Sequence, residues 1–431
     1  MEIESSPGID SGGAERSTKS MSMDTSLGVF SGSAAGLALV ALIALNLLNN
    51  IDRNLLPGAQ PVIQKTLNAS DASMGAISSR FFIAYMFAAP LLGWLGDRFP
   101  RRILVTVCVL WWSCALGVAT LGHNFRGFSL AYTMVAVAEA AFGVYAIALL
   151  SDYFPGANRS KVLSLYILAM TCGRALGFPL GGWLAETFGW QFPFRLMSGV
   201  GLLLGVVAVR FLFEPKAPSV TRTEPRVDKV GVPFRALLRR GYLFAVLGLA
   251  MENFALGGLS VWLPTYLHRS AGYTVAHAAS VLGLIALVCG TGGTWVGGVL
   301  GERLLRRDHR ALYWISTASF LLAVPCAVMM LTHSRGLILS GVIGLQAFLF
   351  MNMGPLNAAI LNSVPASLRS TAIATSLFLI HALGDAISPH LIGLLSDVSS
   401  LRAGLSVTIA ALVAGALLLA AGAQGAPRKT V

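Results

Sequence analysis

What this sequence has least of is charge. Asp, Glu, Lys and Arg make up 12% of its 431 residues, against about 25% in a soluble domain. A chain so poor in ions cannot cover itself with a water-facing surface, which leaves little room for a soluble domain. Cysteine is scarce as well. Cys108, Cys114, Cys172, Cys289 and Cys326 all fall inside apolar runs, so neither a disulfide framework nor metal-ligand spacing is present, and they read as small core residues. The histidines are scattered and form no H-E-x-x-H, and there is no Walker-type phosphate loop. Zinc-hydrolase chemistry and nucleotide-driven work are thereby excluded, and the chain is expected to be no enzyme and to need no metal or cofactor.

What is there is apolar sequence, 55% hydrophobic residues, arranged in recurring runs long enough to cross a bilayer. Hydropathy predicts twelve spans, over residues 32–57, 72–96, 102–122, 128–153, 159–187, 194–213, 242–267, 273–302, 310–332, 336–363, 369–396 and 402–423. The expected class is an all-α integral membrane protein with its helices in two bundles of six. Residues 1–31 read as a disordered tail rich in Ser, Gly and charge, without the short apolar core of a signal peptide. Residues 32–213 form the first bundle, 214–241 a Pro-rich basic linker, 242–423 the second bundle and 424–431 a short tail.

The net charge of +12 does not point to nucleic acid. Loops after the even-numbered spans hold seventeen Lys and Arg, and the opposite loops hold six, so both termini are expected in the cytoplasm. The halves also repeat each other. Gly93-Trp94-Leu95-Gly96-Asp97-Arg98, then Arg101-Arg102, is echoed by Gly298-Val299-Leu300-Gly301-Glu302-Arg303, then Arg306-Arg307; Gly173, Gly182 and Glu186 are echoed by Gly384, Gly393 and Asp397. A duplicated six-span unit is a transporter signature, with two bundles rocking about a site between them.

That site is expected near Asn46 to Gly58, reading N-L-L-N-N-I-D-R-N-L-L-P-G. Ionisable groups at membrane depth cost about 2.5–3.5 kcal/mol on insertion scales, so Asp52 and Arg53 call for partners or water. Adjacent on a helix, they point about 100° apart and need not pair with each other.

The pattern resembles the major facilitator superfamily, whose loop motif G-x-L-a-D-R-x-x-R-R stands here as Gly93 to Arg102. Within it, L-N-L-L-N-N-I-D-R (Leu45 to Arg53), A-A-P-L-L-G-W-L-G-D-R-F-P-R-R (Ala88 to Arg102), A-E-A-A-F-G (Ala138 to Gly143) and S-D-Y-F-P (Ser151 to Pro155) are similar to the Spinster family. The resemblance implies a proton-coupled secondary transporter of an amphipathic anion, such as a lysophospholipid or sphingoid phosphate. The alternative is a symporter of a small carboxylate, since anion:cation symporters of the same superfamily also carry an Asp-Arg pair. It further implies that spans 1, 4, 7 and 10 line the cavity.

Candidate residues follow. Asp52, Glu139, His381 and Asp385 are expected to handle protons; His381 and Asp385 share a helix face at i and i+4. Arg53, Arg174, Arg80, Asn49, Tyr85 and Tyr145 are expected to meet substrate, the guanidinium forks gripping a phosphate or carboxylate. Glu252, Asn253, Asn352 and Asn357 are further polar cavity candidates, and Phe81, Phe82, Phe142, Tyr166, Trp262, Tyr266, Phe348 and Phe350 could give the cavity its apolar lining. Asp97, Arg98, Arg102, Glu302 and Arg369 are expected to form a conformational latch, with Asp97 at the helix start near Arg369 and Glu302 at the one near Arg159. Partners are therefore protons, a small-molecule or lipid substrate and membrane lipid, in a protein expected to be monomeric and to sit in the plasma (inner) membrane.

Overall fold

The structure is a computed structural model, and it describes residues 34–96, 98–122, 124–155, 157–214, 237–306, 308, 310–365 and 368–425. The expected N-terminal tail, most of the linker, and Asp97 lie outside these residues. Among them, twelve helical spans are long and apolar enough to cross a membrane. The first bundle comprises α1 (Ala34–Leu67), α2 (Asp71–Gly96), α3 (Arg101–Val118), α4 (Phe125–Tyr153), α5 (Ala157–Phe188) and α6 (Gln191–Phe211). The second comprises α7 (Arg240–Ala271), α8 (Val275–Leu305), α9 (Ala311–Met330), a tenth span split into α10 (Arg335–Met351) and α11 (Met353–Asn362), an eleventh and a twelfth. The eleventh is α12 (Arg369–Ile380), a π-helical turn at His381–Asp385, and α13 (Ser388–Val398); the twelfth is α14 (Leu401–Gly425).

The first span runs past its expected end at Pro57. Helix α1 contains both Pro57 and Pro61 and stops at Leu67, where Asn68 takes up φ 48°, a left-handed helix end that asparagine tolerates better than most residues. What carries the helix through two prolines is packing, since neighbouring helices stabilise such a segment in a membrane. Helix α5 reads G-x-x-x-G-x-x-x-G at Gly173, Gly177 and Gly181. A β-carbon at those positions would lie 2.6, 2.6 and 2.5 Å from the carbonyl oxygens of Leu47, Ile51 and Leu55. In lipid the apolar driving force between helices is small, so close backbone approach across small residues supplies the attraction.

Asparagines reinforce this seam. Asn46 Nδ2 donates to Tyr166 O of α5 at 2.7 Å, while Asn50 and Asn54 each donate to the carbonyl one turn back, at 2.9 and 2.7 Å. Three of the four asparagines near the charged doublet are thus tied into the backbone of the bundle. Of the cysteines, Cys108 and Cys289 are buried as expected; Cys114 is exposed, contrary to a core role, because its face of α3 turns outward.

The two bundles meet most firmly at one end. Asp71, the first residue of α2, accepts from Arg269 of α7 at 2.7 and 2.9 Å, from Ser396 of α13 at 2.5 Å and from Gln64 of α1 at 2.6 Å. Arg269 also reaches Gln64 Oε1 at 3.1 Å. Asp397 accepts from the backbone N–H groups of Asp71 and Ala72 at 2.9 and 3.0 Å, and Glu186 of α5 accepts from Ala276 at the start of α8 at 2.8 Å. Both acids sit where unsatisfied N–H groups and a partial positive charge favour a carboxylate.

At the other end the Glu302 half of the expected latch is not engaged among the described residues. Glu302 instead pairs with Arg306 of its own helix at 2.7 Å, both side chains being well exposed. Arg98 lies over the ring of Trp94, 3.8 Å from its centroid, and the backbone N–H of Arg102 donates to Glu214 at 3.2 Å. Arg369 is exposed at the start of α12. Asp97 and its expected neighbour Ser367 lie outside the described residues.

Candidate functional site

Between the bundles lies a cavity of about 260 Å³. Its polar lining includes Asn50, Arg53, Asn54, Arg174, Asn253, Gln346, His381 and Asp385, with Ser78, Tyr132 and Ser260, and its apolar lining includes Phe81, Phe82, Phe178, Leu256, Leu263 and Phe350. Spans 2, 5, 8 and 11 contribute as well as spans 1, 4, 7 and 10, so the lining is wider than the resemblance implied.

Arg53 is the centre of the polar half. Its Nε lies 2.6 Å from Glu139 Oε2, and that carboxylate is wholly shielded while the guanidinium keeps 27% exposure toward the cavity. The plane of Arg53 also lies 4.5 Å from the ring centroid of Tyr85 and 5.8 Å from that of Phe81, contacts that favour a cation. Glu139 Oε1 has no hydrogen-bond partner among the described residues.

A line of contacts then crosses from one bundle to the other. Tyr85 stands edge-on to His381 at 5.9 Å and Phe82 stacks on the same imidazole at 6.3 Å. His381 Nδ1 lies 2.9 Å from Asp385 Oδ2. Both residues belong to the π-helical turn, a distortion that is frequent at functional sites and turns side chains out of ordinary helical register. Arg174 faces the same space from α5, 6.0 Å from the ring of Phe350. It has no carboxylate at ion-pair distance among the described residues.

Other expected site residues are placed elsewhere. Asp52 is 1% exposed, off the cavity and inside the first bundle, with the indole of Trp112 beside it and no hydrogen-bond partner at either oxygen among the described residues. Asn49 is buried on the same inner face, its Nδ2 unpaired. Tyr145 is buried between α2 and α4, its hydroxyl bonded to Leu92 O, so it does not reach the cavity. Arg80 is likewise outside it: its Nη1 donates to Ser129 at 2.8 Å in a separate outer pocket. Glu252 and Asn352 are fully buried away from the lining, and Asn357 donates to Met353 O at the exposed face of α11. Of the aromatic candidates, Phe81, Phe82 and Phe350 line the cavity, whereas Phe142, Tyr166, Trp262 and Tyr266 are buried in bundle cores. Asn50, Asn54 and Gln346 are lining residues without a role in the expected site; Asn50 falls one helical turn before Arg53 and Asn54 directly after it, which was the available signal.

Two stacked six-helix bundles with an arginine-bearing cavity at their seam define a membrane carrier, and the Major Facilitator Superfamily profile matches residues 42–389. The chain belongs to that superfamily, and within it to the Spinster family. It is 32% identical over 397 residues to Protein spinster homolog 1 of Bos taurus, covering 86% of this chain and 74% of the relative. It is 29% identical to the Sphingosine-1-phosphate transporter SPNS2 of Danio rerio, over 82% and 74% of the two chains. Among solved structures, a bacterial homologue of the human lysosomal transporter Spinster, inward-facing and unoccupied, shares the fold with a TM-score of 0.81. It is 20% identical and covers 92% of this chain and 98% of that one. The protein is thus a multi-pass transporter of Spinster type and not an enzyme.

Proposed function

We propose that this transporter moves an amphipathic anion, a lysophospholipid or sphingoid phosphate, by proton-coupled alternating access. One observation carries the proposal: Arg53 is held by the shielded carboxylate of Glu139 at 2.6 Å and still opens onto the cavity. A proton taken up by Glu139 would remove the counter-charge and free the guanidinium fork for a phosphate. Loss of that proton would restore the ion pair and expel the anion. Arg174 offers a second cation to the same cavity. The phenylalanine and leucine side chains on the remaining walls suit an alkyl chain, which favours a lipid over a small carboxylate. A relative named for sphingosine-1-phosphate supports the same substrate class.

The excess of Lys and Arg at the α2–α3, α4–α5 and α8–α9 ends supports a cytoplasmic location for both termini; the membrane proposed is the plasma (inner) membrane and the working unit a monomer. In that orientation the Asp71–Arg269 contacts close the outer side, and the cavity belongs to an inward-facing state. The cytoplasmic residues Arg98, Arg102, Glu302 and Arg369 would then engage only when the inner side closes.

The test is uptake in proteoliposomes with an imposed pH gradient. Arg53→Ala is expected to abolish uptake of the lysolipid in folded protein. Glu139→Gln is expected to leave binding intact and remove the response to the gradient. Undiminished uptake by the first variant, or an unchanged gradient response in the second, would refute the assignment. Competition by a long-chain phosphate but not by a short carboxylate separates the two substrate classes.

A further inference from the structure

Arg80 and Arg126 stand apart from the transport cavity and share a second pocket of about 430 Å³, closed by Phe125, Ser129, Leu130 and Thr133. None of these residues lines the central cavity. Both arginines are exposed, and neither has a carboxylate at ion-pair distance among the described residues. Among the described residues, the one hydrogen bond made by either guanidinium is from Arg80 Nη1 to Ser129 Oγ, at 2.8 Å. Two like charges thus share one pocket with a hydroxyl as partner, an arrangement that favours an anion between them.

The surroundings say where that anion comes from. Arg80 is nine residues along α2 from Asp71, roughly 14 Å at 1.5 Å per residue, so it starts within the membrane and not in the loop. It heads a stripe on one helix face that continues as Ile83, Phe87, Leu91 and Trp94, all exposed apolar side chains of 42, 62, 66 and 52%. That face has the character of one turned to acyl chains. On α4, Leu130 is 67% exposed beside the pocket. Arg126, in the first turn of α4, lies nearer the interface, so Arg80 reaches toward the headgroup layer in the way long cationic side chains do.

We propose that this pocket binds the phosphate of a membrane phospholipid, in the leaflet at the Asp71 end of the molecule. Arg80 and Arg126 grip the phosphate from two sides, Ser129 orients Arg80, and Phe125 and Leu130 pack against the glycerol and upper acyl carbons. The lipid is a resident ligand of the outer face of the first bundle, chemically related to the proposed substrate but bound at a different place.

Native mass spectrometry of the full-length, delipidated protein reloaded with phosphatidylglycerol tests this. The wild type is expected to retain one more phosphatidylglycerol than Arg80→Gln/Arg126→Gln at matched lipid concentration, with an affinity about tenfold higher for that lipid. Arg80→Lys/Arg126→Lys, which keeps the charge but not the fork, is expected to fall between them. If the double Gln variant does not fold, Arg126→Gln alone, at an exposed helix start, is expected to lower retention several-fold. Equal retention by wild type and variants overturns the proposal. So does displacement of the lipid by millimolar inorganic phosphate, which would mark a site for a free anion.

Discussion

Asp71 is where the closed end of the molecule is most easily weakened. Asp71→Asn keeps the size of the side chain and its place at the start of α2 but removes the charge that accepts from Arg269 twice and from Ser396 and Gln64 once each. Hydrogen bonds to a charged group contribute about 1.5–3 kcal/mol each when buried. Arg269, however, is 40% exposed, so water takes over part of the interaction and the discounted net loss is about 1–2 kcal/mol. That loss falls on the state in which the bundles touch at this end, because Arg269 and Ser396 belong to the other bundle, whereas Gln64 belongs to the same bundle as Asp71 and its contact is common to both states. The ratio of open to closed states at that end should therefore rise by a factor of about 5–30. Spin labels at Lys65→Cys and Ser399→Cys, both exposed, would report this by pulsed electron spin resonance in lipid nanodiscs, in a background lacking Cys114. The long-distance population should grow in Asp71→Asn and in Arg269→Gln, with the double variant little worse than either. An unchanged distance distribution, or strictly additive effects, would show that the contact does not hold the bundles together.

Three further outcomes are expected. Arg53→Lys should bind the anion more weakly than wild type but retain some uptake, whereas Arg53→Ala should retain none, because an ammonium keeps the charge and loses the fork; radiolabelled lysolipid uptake measures both. Arg174→Gln should raise the apparent KM about tenfold while the dependence on the pH gradient persists, since no hydrogen bond or ion pair joins Arg174 to Glu139 among the described residues; a changed gradient response would overturn that division of roles. Gly177→Val should destabilise the first bundle by about 1–3 kcal/mol or more, read as a lower midpoint in a detergent thermal melt, because its side chain would collide with the α1 backbone at Ile51.

How much of this was legible in the sequence depended on whether a signal was one-dimensional. Span number, the six-plus-six repeat and the loop motif are patterns along the chain, and each survives in the helices. The depth of Glu139 and of the Asp52–Arg53 doublet was also legible, but which member of the doublet the glutamate meets was not, and the ion pair forms with Arg53. Rotation about a helix axis was not. Arg80 and Tyr145 lie on α2 and α4, which are apolar on nearly every face, so periodicity gives no inward direction; Asp52 carries a charge at membrane depth, which calls for a partner or water but does not say which side of α1 it takes. Tyr145 turned to the Leu92 carbonyl and Arg80 to Ser129. The Asp71–Arg269 contact was hidden for a different reason: each is a lone charge at a helix end without a motif. The echo of Glu186 in Asp397 was visible, however, and both prove to accept from helix N-termini across the same interface.

The repeat also explains why the cavity is lopsided. A β-carbon on Gly173 would meet Leu47 O, Asn50 Cβ and Ile51 N, and one on Gly384 would meet Ala250 O, Asn253 Cβ and Phe254 N. These are the same three atoms of equivalent helices, so they set the register between halves. In that register Asn50 corresponds to Asn253 and Arg53 to Leu256, while Arg174, next to Gly173, corresponds to Asp385, next to Gly384; all six line the cavity. The second half has therefore kept the positions of the first and exchanged their chemistry: a leucine for one arginine, and an acid, paired with His381, for the other. A symmetric substrate would gain nothing from such an exchange. A molecule with a phosphate at one end and a hydrocarbon at the other would lie across the seam, its headgroup against α1 and its chain along α7, so that rocking of the bundles reorganises both contacts at once.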